Sequence, residues 1–159
     1  MELATPSNDF EQTLITNIEK FGWHCNYIFG EDGSPPFAYS VGFFHSYHQP
    51  EIIVFGLSQN LSHSLLSHIA RQFATGKEVD FVSLSQDLLD DYICKFVSVS
   101  SDQAAEYLLS AQWLYKEQAF DVLQLVWPEY SKNVFPWENG ASDEFVQSQP
   151  IIGVVQADA

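Results

Sequence analysis

Positive charge is scarce in this sequence. Of its 159 residues only six are lysine or arginine, against 21 aspartate and glutamate residues, which gives a formal net charge of −15. Nucleic-acid binding needs clustered basic residues that displace counterions from phosphates, and six dispersed cations supply no such cluster. Anionic membrane surfaces are disfavoured for the same reason. The composition therefore predicts neither a nucleic-acid ligand nor a membrane partner.

Cysteine and long apolar runs are also sparse. The two cysteines, Cys25 and Cys94, form neither a disulfide framework nor a metal-binding pair, so we expect reduced thiols in the core. No apolar run approaches the ~20 residues that a membrane-spanning helix needs. The first residues, MELATPSNDFEQ, lack the basic start and the apolar stretch of a signal peptide. Together these features predict a cytoplasmic protein.

Hydrophobic and aromatic residues are plentiful, at 46% and 15% of the chain. Disordered chains are poor in aromatics, so this composition predicts a folded protein. A chain of this length buries about 68 to 70% of its unfolded surface and needs no metal or disulfide for stability. We expect one globular domain over 9–153, with a flexible N-terminal tail over 1–8 and a C-terminal tail over 154–159.

Hydrophobic periodicity predicts an α+β fold. Helices are expected to begin at Asn8, at Ser58 and at Ser100 or Ser101, where capping residues precede amphipathic segments. The first three strands are joined by connections too short for a crossover helix, so they should pair antiparallel. The expected architecture is a curved, mainly antiparallel sheet or partly open barrel with about three helices packed on it. Strands are predicted at 23–29, 37–43, 51–56, 79–82, 92–99 and 120–127, with a loop over 44–50.

Strong catalytic and metal-binding motifs are absent. Tyr39-Ser40-Val41-Gly42 is similar to a nucleophile elbow, but Ala38 replaces the first glycine, and a loop is predicted where an elbow enters a helix. Ser40 is therefore expected to be an ordinary strand serine. His45 and His48 lie three residues apart and would share a metal only if their loop folds back. Surface histidines are the favoured interpretation, so neither a catalytic residue nor a metal site is predicted.

Negative charge is concentrated in the second half of the chain. Residues 80–159 carry 13 acids and three bases, whereas residues 1–79 carry eight acids and three bases. Solubility is the simplest interpretation of such a surplus. The alternative is a basic protein partner that is attracted to this half. The carboxylates predicted to attract such a partner are Asp87, Asp90, Asp91, Glu129, Glu138, Asp143 and Glu144.

Two tryptophan–proline pairs lie close together near the end of the chain. They are Trp127-Pro128 and Pro136-Trp137, and Tyr130 stands between them. Packing of a loop that has no regular structure is the simplest interpretation. Tryptophan and tyrosine are also preferred at the centres of protein interfaces. Tyr130 and Trp137 are therefore predicted as possible anchors for the basic partner.

An ordered set of short motifs resembles a bacterial family that is catalogued as domain of unknown function 4262. The resemblance covers about residues 9–153. The family often has histidine before Pro50-Glu51, where this chain has Gln49, and leucine where it has Phe43. The resemblance implies a bacterial origin and a coherent fold, and no reaction, because the family carries no agreed activity. The motifs are Gly22-Trp23, Phe37-Ala38-Tyr39-Ser40-Val41-Gly42, Pro50-Glu51, Phe55-Gly56-Leu57, Gln124 to Pro128, Phe135-Pro136-Trp137 and Gln149-Pro150.

The order of elements over residues 21–70 is similar to the opening of flavin-binding split barrels. In those proteins serine, threonine and backbone groups hold the flavin phosphate, commonly together with arginine or lysine. The similarity implies FMN as a cofactor near Tyr39, Ser40 and His45. Residues 21–70 contain no arginine or lysine, which counts against phosphate binding, although backbone amides would partly substitute.

Two functions from different classes follow from these patterns. The favoured one is a small acidic immunity protein that occludes the active site of a cognate basic toxin, for example a nuclease, whose site must attract anionic nucleic acid. The alternative is a split-barrel-like oxidoreductase or ligand-binding module that binds FMN. The sequence favours a protein that is not an enzyme and leaves its partner and oligomeric state open.

Overall fold

A computed structural model describes residues 2–89 and 92–155 of the chain. Asp90 and Asp91, two of the predicted steering carboxylates, lie outside these residues. The helices are α1 (Asp9–Phe21), α2 (Phe43–Tyr47), α3 (Gln59–Ala74), α4 (Phe81–Asp87), α5 (Ser101–Tyr107), α6 (Leu109–Tyr115) and α7 (Asp143–Ser148). The strands are β1 (His24–Ile28), β2 (Phe37–Val41), β3 (Glu51–Phe55), β4 (Lys95–Val99), β5 (Val122–Val126) and β6 (Gly153–Val154).

The strands form one open sheet in the order β1-β2-β3-β5-β4-β6. The first three strands pair antiparallel, as their short connections predict. Strands β3 and β5 are parallel, and the long segment between them supplies the crossover that a parallel pair requires. The predicted α+β class is therefore confirmed, with an open sheet of mixed pairing in which antiparallel pairs predominate.

Helices cover both faces of this sheet. Leu14 of α1 and Leu114 of α6 pack on one face, whereas Leu66 and Ile69 of α3 pack on the other. Strand β3 is buried along its whole length, which explains why its sequence is a nearly continuous apolar run and does not alternate. No helix in residues 2–89 and 92–155 is long and apolar enough to cross a membrane.

The described residues form seven helices, more than the sequence patterns predicted. The segment 44–50, predicted as a loop, begins inside α2, because Gly42 (φ 116°) ends β2 and turns the chain directly into a helical turn. The segment 79–82 was wrongly predicted as a strand. It leads into α4, whose first turn is capped by Asp80 through a hydrogen bond from the Val82 N–H (3.0 Å). The helix predicted after Ser100 is divided at Leu108 into α5 and α6.

Candidate functional site

The predicted partner-binding residues of the last third of the chain lie on one folded loop. The backbone N–H of Glu129 donates to the carbonyl of Val134 (2.8 Å), which closes the first turn of the loop. The hydroxyl (2.7 Å) and the N–H (2.9 Å) of Ser142 both donate to the Glu129 carboxylate. These two hydrogen bonds lower the pKa of Glu129. Since Ser142 caps α7, they also bring Glu129 next to Asp143 and Glu144 in the first turn of that helix.

The two predicted anchors are held in place by other aromatic rings. Tyr130 stacks on Trp127, with ring centroids 6.0 Å apart, and packs edge-on against Tyr92 at 4.7 Å. Trp137 lies parallel to Phe135 at 5.2 Å. Even so, Tyr130 is 44% exposed and Trp137 is 36% exposed. Both rings therefore offer apolar surface to a partner while their orientation is already fixed.

A cavity of about 570 Å³ opens beside Trp137, between α4 and β4. Its wall includes the exposed apolar side chains of Val82 and Ile93. Lys95 also lines it, with its Nζ 4.7 Å from the centroid of the Phe135 ring and 5.7 Å from that of Trp137. A cavity of this size is typical of ligand or peptide clefts. We call this cavity together with the loop 127–144 the C-terminal surface.

Of the two remaining predicted carboxylates that the structure describes, only one lies on this surface. Glu138 is exposed and accepts a hydrogen bond from the N–H of Phe135 (2.8 Å). Asp87, the last residue of α4, is also exposed, but it lines a different cavity together with Thr75 and Asp80. The structure therefore brings most of the predicted residues to neighbouring positions, and their role in binding stays a prediction. The predicted partner-binding residues that lie within the loop and the first turn of α7 are Glu129, Tyr130, Trp137, Glu138, Asp143 and Glu144.

A second group of polar side chains surrounds the buried carboxylate of Glu51, at the start of β3. One carboxylate oxygen accepts hydrogen bonds from the Ser40 hydroxyl (2.7 Å) and one backbone N–H, and the other accepts from the Tyr115 hydroxyl and two backbone N–H groups. The three N–H groups belong to residues 42–44, where α2 begins. Glu51 thus caps a helix that has no side-chain cap of its own. We call these groups the Glu51 cluster.

Burial dominates the electrostatics of the Glu51 cluster. It raises the pKa of Glu51, while the hydrogen bonds from Tyr115, Ser40 and the backbone act in the opposite direction. Burial, together with the adjacent Glu51 charge, also raises the pKa of Tyr115. Glu51, Ser40 and Tyr115 have no exposed surface. Their arrangement therefore stabilises the junction between β2 and α2 and gives a substrate no access.

The residues implied for FMN lie in or beside the Glu51 cluster. Ser40 belongs to it, and the backbone N–H of His45 donates to the Tyr115 hydroxyl (3.3 Å). Tyr39 is buried, and its hydroxyl accepts from the Asn26 side chain (2.8 Å). The hydroxyl groups of Tyr39 and Ser40 are therefore occupied by internal partners. FMN binding at these residues stays a prediction.

Ser40 is a strand residue, although one argument for that assignment was wrong. Helix α2 follows β2 directly, so the chain does turn from strand to helix as a nucleophile elbow does. The Ser40 hydroxyl is nevertheless buried inside the sheet and donates to Glu51, which leaves no exposed nucleophile.

The cysteines and histidines are the other side chains that were considered as reactive groups or metal ligands. Burial raises the pKa of Cys25 to about 11 and that of Cys94 to about 12, so both thiols hold their protons at neutral pH. His45 lies on α2 and His48 caps its C-terminal end. Across residues 2–89 and 92–155, no group of three or more His, Cys, Asp or Glu side chains is arranged to hold a metal ion.

A comparison with protein families places the chain. The model of the family described as "Domain of unknown function (DUF4262)" matches residues 17–142. The chain belongs to this family. The match confirms the resemblance carried by the sequence motifs, of which Gln149-Pro150 lies beyond the matched residues. No curated protein and no solved structure matches the chain.

Two glutamines from the family-like motifs act as structural clamps. The Gln124 side-chain oxygen accepts from the N–H groups of residues 152 and 153 (2.9 and 3.1 Å), and its amide donates to the Pro150 carbonyl (2.8 Å). The buried Gln149 side chain pairs with both the N–H (3.0 Å) and the carbonyl (2.8 Å) of Trp127. These bonds attach the segment 149–153 to the end of β5. The sequence signal for the first clamp is a single amide inside the apolar strand VLQLV.

Sequence reasoning also missed the Glu51 cluster. The available signal was a charged residue at the start of the apolar run EIIVF, because a charge in a buried strand requires hydrogen-bonding partners. Tyr115 is 64 residues away from Glu51, and no local pattern connects the two. The need for partners was therefore predictable, whereas their identity was not.

Proposed function

We propose that this protein is a small acidic binding protein that neutralises a basic protein partner, as an immunity protein neutralises a cognate toxin by occluding its active site. The observation that supports this most is the C-terminal surface. It combines four carboxylates and two part-exposed aromatic rings on one loop, beside an open cavity whose wall contains both apolar side chains and Lys95.

The carboxylates and the rings would contribute in different ways. A net charge of −15 attracts a cationic protein over distance and raises the association rate. The rings of Tyr130 and Trp137 would supply short-range affinity as they lose their remaining exposure. Because stacking already fixes both rings, little side-chain entropy is lost on binding. A nuclease toxin fits this description, since its active site must attract anionic nucleic acid.

The buried chemistry also supports binding over catalysis. The hydroxyl and carboxylate groups of the Glu51 cluster have no exposed surface, and both cysteine thiols have raised pKa values. General acid–base or nucleophilic catalysis needs such groups within reach of a substrate. The loop 127–144 carries four carboxylates and one cation, Lys132, so its net negative charge suits electrostatic recognition of a cation.

The proposal predicts a binding reaction that weakens with salt. The tagged protein serves as bait in an extract of its native host at low salt, and the captured partner is then purified for kinetic measurement. We expect a stoichiometric basic protein whose association rate falls as salt screens the surface charges. Trp137→Ala should weaken the complex at least tenfold, mainly through faster dissociation. A partner whose association rate is independent of salt would contradict the proposal.

A matched pair of charge variants tests where the partner docks. Asp143→Asn with Glu144→Gln removes two exposed carboxylates from the C-terminal surface, and we expect the association rate to fall severalfold. Asp102→Asn with Glu106→Gln on α5 changes the net charge equally, at exposed positions that do not line the cavity or belong to the loop 127–144. This control should change the rate much less. Equal effects of the two pairs would show that only total charge matters and that the C-terminal surface is not the docking site.

A further inference from the structure

The strand at one edge of the sheet, β1, lacks the features that protect edge strands. It is first in the strand order, and the part of the chain that the structure describes supplies no strand on its outer side. Natural edges are usually blocked by lysine, proline, a bulge or short length. The sequence of β1, HCNYI, contains neither lysine nor proline, and its five residues pair with β2 in continuous register. The opposite edge strand, β6, has only two residues.

The hydrogen bonds of the neighbouring strands show which residues of β1 face outward. The Gly56 N–H donates to the Pro36 carbonyl (2.8 Å), so even-numbered residues of β2 direct their backbone groups towards β3, and odd-numbered ones towards β1. The register pairs these odd-numbered residues with the even-numbered residues of β1. Cys25 and Tyr27 therefore direct their N–H and C=O groups away from β2. These four groups form a free backbone edge within the described residues.

This edge lies in an open slot. One cavity of about 380 Å³ is lined by Trp23 and Cys25 together with residues of α1 and α3, and a second of about 400 Å³ is lined by Cys25 and Tyr27 together with α3. The first cavity also contacts His24, whose side chain points to the face opposite that of Cys25, so this cavity reaches the edge of the strand. Phe21, which lines the first cavity, is 66% exposed, and Phe29, the residue after β1, is 69% exposed.

We propose that β1 pairs antiparallel with β1 of a second copy of this chain, which joins two six-stranded sheets about a two-fold axis at Asn26. Cys25 and Tyr27 lie symmetrically about Asn26, so each would face the other residue in the second copy and all outward backbone groups would pair. The same register brings the exposed Phe29 beside Trp23 of the second copy.

The charge distribution favours a second copy as the occupant of this slot. Residues 21–30 contain no lysine, arginine, aspartate or glutamate, although the chain carries a net charge of −15. An uncharged, self-complementary strand offers nothing specific to a basic partner and suits an identical strand. Because both copies are acidic and the segment 21–30 places no opposite charges against each other, added salt should screen the repulsion and strengthen this association. Salt is expected to act in the opposite direction on the basic partner of the C-terminal surface.

Oligomeric mass measured over a wide concentration range tests the proposal. With reductant present, we expect the mass to rise with concentration to twice the 18.0 kDa of the chain, and to rise earlier at high salt. Cys25→Pro removes an outward N–H, which an edge strand tolerates. By symmetry the dimer loses two hydrogen bonds, each worth about tenfold in affinity, so its dissociation constant should rise about a hundredfold. Cys25→Ala, which keeps the N–H, is the matched control and should still dimerise.

Amide hydrogen exchange on the unmodified protein provides a test that does not depend on the proline variant folding. The amides of Asn26 and Ile28 donate to β2 and should be protected at every concentration. The amides of Cys25 and Tyr27 should become protected only as the dimer forms. A chain that remains monomeric at high concentration and high salt overturns the proposal. A dimer in which the Cys25 and Tyr27 amides stay unprotected overturns it equally.

Discussion

Replacing Glu51 by glutamine is expected to lower the free energy of unfolding by about 3–5 kcal/mol, although the side chain keeps its shape. Five donors converge on the two carboxylate oxygens: two hydroxyl groups and three backbone N–H groups. Glutamine offers one acceptor oxygen and places an NH₂ group against donors that then have no acceptor. Because the site is fully buried, water cannot replace the lost hydrogen bonds. Thermal unfolding should show a fall in Tm of about 6 to 20 °C.

Two further variants test whether the stability lost in Glu51→Gln comes from the hydrogen bonds of the Glu51 cluster. Tyr115→Phe removes one of the five donors and should cost about 1–3 kcal/mol, because the backbone N–H of His45 also loses its acceptor, whereas that of Gly42 keeps Glu51. Glu19→Gln changes an exposed carboxylate on α1 and should stay within about 0.5 kcal/mol of the unmodified protein. A loss at Glu51→Gln no larger than that at Glu19→Gln would show that the donors do not depend on the carboxylate.

The elements that could be predicted are those whose causes lie close together in the sequence. Helices α1 and α3 have amphipathic periodicity and begin at the predicted caps, where the side chains of Asn8 and Ser58 accept hydrogen bonds from the backbone of the first turn. The antiparallel pairing of the first three strands follows from the length of their connections. The close spacing of carboxylates on the loop 127–144 could also be predicted, because these residues are near one another in the sequence.

The features that could not be predicted depend on distant residues. Helix α2 forms where its first N–H groups meet the carboxylate of Glu51, and the cluster is completed by Tyr115 from α6. The parallel pairing of β3 with β5 joins residues that are about 70 positions apart. Even within the predicted loop, the sequence does not show that Glu129 accepts two hydrogen bonds from Ser142. That carboxylate holds the loop as well as contributing negative charge.

Replacing Gly56 by alanine is expected to lower the free energy of unfolding by about 2–5 kcal/mol. Gly56 has φ of 81°, a left-handed conformation that costs other residues about 1–2 kcal/mol. A Cβ at this position would also overlap the carbonyl oxygen of Ser148 and lie 3.1 Å from the Trp127 ring. Neither neighbour can move freely, because the next residue, Gln149, is hydrogen-bonded to the backbone of Trp127 on both sides. Overpacking therefore adds about 1–3 kcal/mol to the backbone strain.

The matched control for this change is Gly76→Ala. Gly76 has φ of 73°, close to that of Gly56, but a Cβ there would meet no atom within 4 Å. The free energy of unfolding of Gly76→Ala should therefore fall only by the cost of the backbone strain, about 1–2 kcal/mol. The difference in the free energy of unfolding between the two variants, measured with urea, gives the contribution of the close contact between the end of β3 and the end of α7. Equal losses would mean that the segment after α7 moves aside, and that the Gln149 clamp does not hold it against the sheet.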